Sequence, residues 1–269
     1  MSLPIALTIA GSDSSCGAGA QADLKTFGAL GCHGLTVITC VVAEVPGKVR
    51  SIQAVRPEIV KDQLEVLLYA YPISAIKTGM LYSAPIIRAI AEVLGSLKKC
   101  PPLVIDPVMV ASSGDNLLKI GSISAFYRNL FPLASLITPN LDELGLLTNS
   151  HLDSLTAMRV AGKQLAATTG AAVLLKGGHL RGRIATDILL QPDWEEHEYS
   201  APFLRRFKTH GTGCTYSAAI TAGLAKGLTL PEAVGEAKVF VTGAIAGALR
   251  WGSRHGAIAA LDQVKLGNK

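Results

Sequence analysis

The sequence lacks the features that mark several large classes of protein. None of its apolar runs is longer than a strand, and no basic leader precedes the first of them, which starts after Pro4. No internal repeat occurs, and no stretch of proline, serine or like charge divides the 269 residues. We therefore expect one domain over residues 1–269, located in the cytoplasm and without a membrane-spanning segment.

The sequence also lacks a cysteine framework and a concentrated positive charge. Its five cysteines include no Cys-x-x-Cys pair and leave an odd one over, which favours free thiols in a reducing compartment. A net charge of +5 is small for this length, and the basic residues are scattered except for a cluster at 205–208. We therefore expect no binding to nucleic acid or to membranes, whereas small anionic molecules remain candidate ligands.

Several catalytic motifs are absent as well. Neither Gly-x-Ser-x-Gly nor His-Glu-x-x-His occurs, so hydrolase and zinc-protease activities have no support, and the six histidines show no metal spacing. The Walker pattern is missing, because the nearest run, residues 177–184, lacks both its lysine and its hydroxyl. Any phosphate chemistry in this protein must use another arrangement of residues.

The sequence does have a regular alternation of short apolar runs with helical patterns, in a chain of which 49% is hydrophobic. Strands are predicted at residues 5–10, 35–42, 73–77, 103–106, 135–138, 172–176, 184–190 and 197–200. Helices are predicted at residues 18–30, 57–69, 85–97, 122–130, 141–147, 155–168, 216–224 and 231–249. This alternation predicts a three-layer α/β/α fold, with a mostly parallel central sheet, helices on both faces and the functional site at the carboxyl ends of the strands.

The most informative segment is His210-Gly211-Thr212-Gly213-Cys214-Thr215, which leads into a helix. Its two glycines let consecutive N–H groups point at one spot, and the helix dipole adds positive potential there, so the segment predicts a cradle for a phosphoryl group. A helix N-terminus lowers the pKa of a thiol, so Cys214 can act as a base or as a polar contact to an attacking hydroxyl. Taken alone, the segment is equally compatible with a glycine-rich loop that ends in a buried cysteine.

A second glycine-rich loop follows the first strand and contains Gly17-x-Gly19-x-x-Ala22, a pattern close to a dinucleotide-binding fingerprint. Six residues intervene between Ala10 and Gly17, whereas a dinucleotide turn begins at the end of its strand, so that interpretation is disfavoured. We interpret the loop as one whose small residues let a substrate approach the backbone, with Asp23 accepting hydrogen bonds from it. The alternative role for Asp23 is a first-turn carboxylate that favours the helix dipole.

Other polar or soft side chains follow predicted strands. Glu44 can bind an amino or ring N–H group, and Met80 can lie against a flat aromatic ring, although core filling explains Met80 equally well. Asp106 ends a buried strand and needs a cation, such as Mg²⁺ on nucleotide phosphates, unless it is an N-cap-like residue before Pro107.

Two further groups follow the later strands. Asn140 and Glu143 share one helix face that can bind the water shell of Mg²⁺, but a capping box is the favoured explanation of this motif alone. Lys176 precedes two glycines, where it can act as a point charge for phosphate.

Together these residues resemble the ribokinase-like kinases, and within them the hydroxymethylpyrimidine and phosphomethylpyrimidine kinases of thiamine synthesis. The similarity lies in six groups of segments that occur in the family's order and span residues 5 to about 250. They are residues 11–14 with 17–19 and 21–26, 77–81, 106–109, 138–140 with Glu143, 176–179 and 210–215.

The resemblance implies an ATP- and Mg²⁺-dependent kinase of ribokinase-like fold, with Cys214 in the catalytic position. It implies an anion hole at Gly211, Thr212 and Gly213. A pyrimidine pocket is implied at Gly11, Asp23, Glu44, Met80 and the backbone around Val108. The nucleotide phosphates are assigned to Lys176, Asn140, Thr209 and His210, and Mg²⁺ to Asp106 and Glu143.

The chain departs from the family's pattern at two positions. Glu44 stands where these enzymes usually have Gln before an Asn, and Cys16 stands where Gly is common. A carboxylate accepts a hydrogen bond from an exocyclic amine but donates to a ring nitrogen only when protonated, so the ring contacts stay open.

The expected activity is phosphorylation of 4-amino-5-hydroxymethyl-2-methylpyrimidine and then of its monophosphate, by a protein expected to be a homodimer because relatives often are. The main alternative is a pyridoxal or pyridoxine kinase of the same fold. A nicotinamide-dependent oxidoreductase and a non-catalytic ligand-sensing protein also remain open.

Overall fold

The computed structural model of the chain describes residues 2–110, 117–119, 121–178, 183–204, 210–253 and 256–264. Nine strands form one sheet: β1 Ile5–Asp13, β2 His33–Val45, β3 Lys48–Ala54, β4 Ala75–Thr78, β5 Leu103–Ile105, β6 Leu136–Ile137, β7 Ala172–Leu175, β8 Ile184–Leu190 and β9 Glu196–Pro202. A separate antiparallel hairpin joins β10 Leu249–Ser253 to β11 Gly256–Ala260.

The helices alternate with these strands along the chain. They are α1 Gly19–Ala29, α2 Pro57–Ala70, α3 Ala84–Gly95, the short α4 Ile123–Ala125, α5 Leu141–Thr148, α6 Leu155–Thr169, α7 Thr212–Ala225 and α8 Leu230–Ala246. A π-helical turn at Phe126–Leu130 and a 3₁₀ turn at Phe131–Leu133 continue α4. Pro57 opens α2 because its missing N–H costs nothing in a first helical turn. None of the helices in the described part of the chain is long and apolar enough to cross a membrane.

The order of the strands places a topological switch point between β1 and β4, the third and fourth strands of the sheet. The spatial order is β3-β2-β1-β4-β5-β6-β7-β8-β9, and the strands from β2 to β7 are parallel while β3, β8 and β9 complete the sheet with antiparallel pairs. The chain first moves outward from β1 to β2 and β3, then crosses to β4 on the other side of β1. In such sheets ligands bind at the switch point, just outside the carboxyl ends of the strands. In this chain that position is at the carboxyl ends of β1 and β4.

Side chains that alternate along the strands pack against helices on both faces of the sheet. This packing confirms the predicted three-layer fold. On one face Leu7 and Ile9 of β1 pack in a cluster that includes Val60 and Leu64 of α2. On the other face Ala6 packs with residues of α1 and α7, and strands β5 to β8 pack with α7 and α8. All four residues of β4 and all three of β5 are buried, as expected for strands covered on both sides.

Three predicted elements need correction. β1 continues to Asp13 through an irregularity between Ala10 and Ser12, so only residues 14–16 separate the strand from Gly17. The predicted strand 35–42 is longer and turns at residues 46–47 into β3, which was missed because its exposed, largely polar residues form no apolar run. The predicted helix 231–249 ends at Ala246, and the chain then enters the β10–β11 hairpin.

Candidate active site

The first turn of α7 lies over the carboxyl ends of the central strands, where α7 packs on β1, β4 and β5. Gly211 precedes the helix in a left-handed conformation, with φ of 81°, and the first helical hydrogen bond runs from the Thr215 N–H to the Gly211 oxygen at 2.9 Å. The N–H groups of Thr212, Gly213 and Cys214 therefore have no acceptor within the helix, which makes this turn suited to an anion.

The loop that follows β1 packs directly against this turn. A Cβ atom on Gly211 would overlap the carbonyl oxygen of Gly17, so only glycine allows this approach as well as the positive φ. On the far side of the turn, a Cβ on Gly213 would lie 3.3 Å from the Lys176 Nζ and 3.6 Å from the Asp106 Oδ2. The structure thus brings together the glycine-rich segment, the first loop and two predicted phosphate-end residues.

Asp106 lies at the centre of a buried hydrogen-bond network below Gly213. Its Oδ1 accepts from the Lys176 Nζ at 2.9 Å and from the Thr138 hydroxyl at 3.2 Å, and its Oδ2 accepts from the Ser217 hydroxyl at 3.2 Å. Burial opposes ionisation of Asp106, but Lys176 and then Lys77 hold its pKa below the usual value. The cation that a buried Asp106 was expected to need is thus supplied, within this chain, by Lys176.

Asp23 forms an ion pair with Lys77, and the substrate contact predicted for it remains a prediction. Its carboxylate is fully buried, and Oδ2 accepts from the Lys77 Nζ at 2.8 Å and from the Thr8 hydroxyl at 2.6 Å. Burial alone would lower the pKa of Lys77, but the adjacent carboxylate more than offsets it and the pKa is raised. The sequence analysis did not predict the Lys77–Asp23 ion pair, although a lysine in a buried strand signals a buried partner.

Cys214 does not have the lowered pKa that was predicted from its place at a helix N-terminus. Burial, with the negative charges of Asp23 and Asp106 nearby, raises the pKa of the thiol to about 12, and the Lys77 charge and a hydrogen bond from the Gly19 N–H offset this only in part. The free-energy cost of removing the thiolate from water is larger than the stabilisation that Lys77 and the Gly19 N–H give it. Cys214 is therefore a neutral thiol in this structure.

Asn140 and Glu143 form the capping box that the motif alone favoured. The Glu143 N–H donates to the Asn140 Oδ1 at 2.9 Å, and the Asn140 N–H donates to the Glu143 Oε2 at 2.8 Å. A parallel bridge between Asn140 and Lys176 places the box beside the Asp106 network. Burial raises the pKa of Glu143 to about 7, with Lys176 lowering it and Asp106 raising it.

Asp106 and Glu143 are the two carboxyl groups beside Lys176, and their chemistry suits a hard divalent cation brought in with phosphate. Both offer carboxylate oxygens, the donors that Mg²⁺ prefers, and Mg²⁺ typically takes only one or two of them together with water and phosphate. Positive charge brought close to Glu143 would favour its ionised form and so lower its raised pKa.

An apolar wall continues the site away from α7. It is a cluster formed by Cys40, Val42, Met80 and Leu117, with Val49, Ile52, Tyr82 and Val108 packed against it. Gly11 faces the same wall, because a Cβ there would lie 2.8 Å from the Cys40 Sγ and 3.5 Å from the Met80 Sδ. The structure thus groups Gly11, Met80 and Val108 as the sequence predicted, and it adds Cys40 and Val42.

A polar cluster of Asp13, Glu44 and His210 ends this wall. The His210 Nε2 lies 3.0 Å from the Asp13 Oδ2, and one ligand atom from each of the three residues lies within 4.8 Å of the others. The Ser14 hydroxyl fixes the Glu44 backbone by donating to its carbonyl oxygen at 2.8 Å and accepting from its N–H at 2.9 Å. His210 therefore faces the Glu44 end of the site, and Thr209 lies outside the described residues.

Asp13 is a further residue that sequence reasoning did not assign. It stood in one of the segments of the family resemblance, but its position before three small polar or thiol residues indicates only a turn. Its contact with His210 joins residues 197 positions apart, which no local pattern signals.

Comparison with known proteins gives a consistent result. Residues 13–259 match the family model described as phosphomethylpyrimidine kinase. A hydroxymethylpyrimidine/phosphomethylpyrimidine kinase of Streptomyces coelicolor is 44% identical over 90% of this chain and 88% of its own length. A thiamine biosynthesis bifunctional protein, ThiED, of Geobacter sulfurreducens is 43% identical over 94% of this chain. The match covers only 51% of the length of that relative.

A solved structure extends the comparison to the fold. The pyridoxal kinase from Staphylococcus aureus, in complex with AMP-PCP and pyridoxal, superimposes with a TM-score of 0.87 at 33% identity, covering 98% of this chain and 94% of that one. This chain therefore shares its fold with a pyridoxal kinase, while the Streptomyces coelicolor relative, which is named as a pyrimidine kinase, is more similar in sequence at 44% identity.

Proposed function

The chain belongs to the phosphomethylpyrimidine kinase family, and on that premise we propose that it transfers the γ-phosphoryl group of ATP to the hydroxymethyl group of 4-amino-5-hydroxymethyl-2-methylpyrimidine (HMP), and then a second one to the resulting monophosphate. One observation carries the proposal. The first turn of α7, with Lys176 and Asp106 beside it, and the apolar wall ending in Glu44 lie at the same edge of the sheet.

The phosphate end supplies fixed positive potential for the transferring group. In the step, the hydroxymethyl oxygen bonds to the γ-phosphorus while the bond from that phosphorus to the bridging oxygen of ADP breaks. The N–H groups of Thr212, Gly213 and Cys214 would stabilise the charge on the phosphoryl oxygens, and Lys176 would hold the departing ADP. Mg²⁺ carried by the nucleotide would neutralise phosphate charge, with Asp106 and Glu143 as the residues that hold it.

Cys214 would hold the attacking hydroxyl rather than remove its proton. A neutral thiol is a weak donor and a weak acceptor, and a thiol already protonated cannot take another proton at neutral pH. In a loose transition state the attacking oxygen keeps its proton until late, so the proton can pass to an oxygen of the transferred phosphoryl group.

We favour HMP over pyridoxal as the first acceptor, because the curated relatives described above are 43–44% identical and the pyridoxal kinase is 33% identical. The test is ADP release in one coupled assay with HMP, HMP monophosphate, pyridoxal and pyridoxine, with kcat/KM compared between acceptors. The proposal predicts the highest value for HMP or its monophosphate. A higher value for pyridoxal would identify a pyridoxal kinase instead.

The same preparation tests the remaining alternatives. ATP, and not NAD(H), should raise the melting temperature if the nucleotide site is that of a kinase. A ligand-sensing protein would bind HMP and release no ADP. We also propose that the chain acts as one domain in a cytoplasmic homodimer, in keeping with its five free cysteines. A monomer mass by light scattering, or two separate unfolding transitions, would contradict the dimer or the single domain.

A further inference from the structure

Glu44 extends the ring-binding wall and is its acidic end. Exposure alternates along β2 from Val41 to Val45, although the pairing with β3 is irregular between Ala43 and Glu44. Val42 and Glu44 therefore lie on the less exposed side of the strand, where Cys40 and Val42 belong to the apolar wall. Val41 and Val45 point the other way and are 52% and 48% exposed. The Glu44 side chain, partly buried, therefore faces the space that a ring on this wall would occupy.

The neighbour of Glu44 is a carboxylate whose oxygens are already in use. The Asp13 Oδ1 accepts from the Ser15 N–H at 2.7 Å, and the Oδ2 accepts from the Gly17 and Ala18 N–H groups at 3.1 and 2.8 Å. The Ser15 hydroxyl and the His210 Nε2 also contact Oδ2, both at 3.0 Å. Burial opposes ionisation of Asp13, but these hydrogen bonds lower its pKa, so Asp13 holds the loop as an anion.

A second negative charge beside Asp13 is unfavourable. Two carboxyl groups this close do not both ionise easily, and Asp13 is the one committed to the ionised form. Burial and then Asp13 raise the pKa of Glu44 to about 7, and His210 lowers it. Among the described residues, the other titratable or charged groups near Glu44 are the Cys40 thiol on the same strand and the exposed Lys48 and Arg50 on β3.

We propose that Glu44 binds the substrate ring as a neutral carboxylic acid, donating its O–H to a ring nitrogen and accepting from the adjacent amino group through its carbonyl oxygen. This inference rests on the proposed function and specifies the class of ring. A carboxylic acid presents one donor beside one acceptor, whereas a carboxylate presents acceptors only. The matching partner is a heteroaromatic ring with an amino group next to an acceptor nitrogen, an edge that HMP has and pyridoxal lacks.

The proposal also accounts for the departure of this chain from the family's usual Gln. The amide of Gln likewise presents a donor beside an acceptor, and it does so at every pH. In this chain the same pattern exists only while Glu44 holds its proton. HMP affinity should therefore fall as pH rises above the range in which Glu44 is protonated, and a Gln at this position should remove that dependence.

The experiment measures HMP binding to the full-length protein by calorimetry between pH 7 and 9, in buffers of different ionisation enthalpy so that proton uptake is counted. For the unchanged protein we expect the Kd to rise ~10-fold per pH unit above the titration of Glu44, with about one proton taken up per HMP at pH 8.5. For Glu44→Gln we expect a Kd that changes less than about 2-fold over this range and no proton uptake.

Glu65→Gln is the matched control, because it makes the same chemical change at a side chain that is 51% exposed on α2. It should show the pH dependence of the unchanged protein. A parallel pH dependence and equal proton uptake in the unchanged protein and Glu44→Gln would overturn the inference while leaving the proposed kinase intact. Absence of HMP binding to both proteins at pH 7 would overturn the inference and the proposed substrate together.

Discussion

The two ends of the site are built from the same kinds of charged group but balance them differently. At the phosphate end Asp106 pairs with Lys176 and Asp23 pairs with Lys77, and all four side chains are buried or nearly so. At the ring end two carboxyl groups, Asp13 and Glu44, share one histidine. At the phosphate end Lys176 keeps the pKa of Asp106 low, and the carboxyl group whose pKa rises to about 7 is Glu143, inside the capping box. At the ring end that group is Glu44, on the wall proposed to face the ring.

This difference assigns different duties to the two ends. A phosphoryl group presents the same charge with every substrate, so fixed charges and N–H groups suit it. A ring is recognised by the arrangement of its donors and acceptors, so the protonation of one side chain can decide which ring fits. Changes at the phosphate end should therefore affect stability and kcat, and changes at the ring end should affect KM and its pH dependence.

The largest expected effect is that of Asp106→Ala, which would leave Lys176 buried without its partner. We expect a loss of about 3–5 kcal/mol in the free energy of unfolding and little remaining turnover. Urea unfolding measures the first and ADP release the second. Asp153→Ala, at an exposed position, is the control. A loss of less than about 1 kcal/mol would mean that the phosphate end is not held by paired buried charges.

The free energy of unfolding should depend on pH because the carboxyl group of Glu143 is buried. Its pKa is raised to about 7 in the folded protein, so folding favours the neutral form. Stability should therefore be undiminished near the unfolded value of about 4.5, fall as pH rises toward 7, and stay lower above it. The fall amounts to at most about 3 kcal/mol, and Glu143→Gln should lack it. Urea unfolding of the unchanged protein and of Glu143→Gln, without metal and at pH 5 and 8, checks this. The same change in the free energy of unfolding between the two pH values in both proteins would contradict the prediction.

Gly213→Ala tests whether the first turn of α7 acts on the transition state. The added methyl group would lie 3.3 Å from the Lys176 Nζ and 3.6 Å from the Asp106 Oδ2, in the space proposed for phosphate. We expect kcat to fall on the order of 10- to 100-fold, with a smaller change in the Kd for ATP. Gly28→Ala in α1 is the control, because nothing lies within 4 Å of the added atom. Equal losses in kcat and ATP affinity would point to simple obstruction.

Cys214→Ala should have the smallest effect among these variants. A thiol with a pKa of about 12 contributes a weak hydrogen bond to the hydroxyl, so we expect kcat to fall about 5-fold to 10-fold. A general base would contribute roughly 10²- to 10⁴-fold instead. Single-turnover ADP release distinguishes the two. A wild-type rate in Cys214→Ala would remove any role for the thiol.

The sequence predicted the three layers and the grouping of Asp106 and Lys176 beside Gly213, because both rest on local signals. Asp106, Lys176 and residues 210–215 come directly after strands or before a helix, and the carboxyl ends of parallel strands meet at one edge. The β3 strand and the β10–β11 hairpin were missed because pairing, rather than a run of apolar residues, defines them.

The errors at individual residues arise from burial, which no local pattern measures. The sequence offered Asp23 as a substrate contact and did not predict its buried ion pair with Lys77, 54 positions away. Cys214 was given a lowered pKa from its helix, but the surrounding protein opposes its charge more strongly than the helix favours it. The contacts of Asp13 are visible only in the fold, which brings His210 and Glu44 close to it.

A crystal structure of the protein with HMP and AMP-PCP tests most directly the claim that the two ends form one site. The account predicts the pyrimidine ring against Met80 and Val108 with Glu44 at its amino edge, and a terminal phosphate oxygen about 2.7–3.2 Å from the Gly213 amide nitrogen. A ring bound away from this wall, or a terminal phosphate out of reach of the first turn of α7, would contradict it.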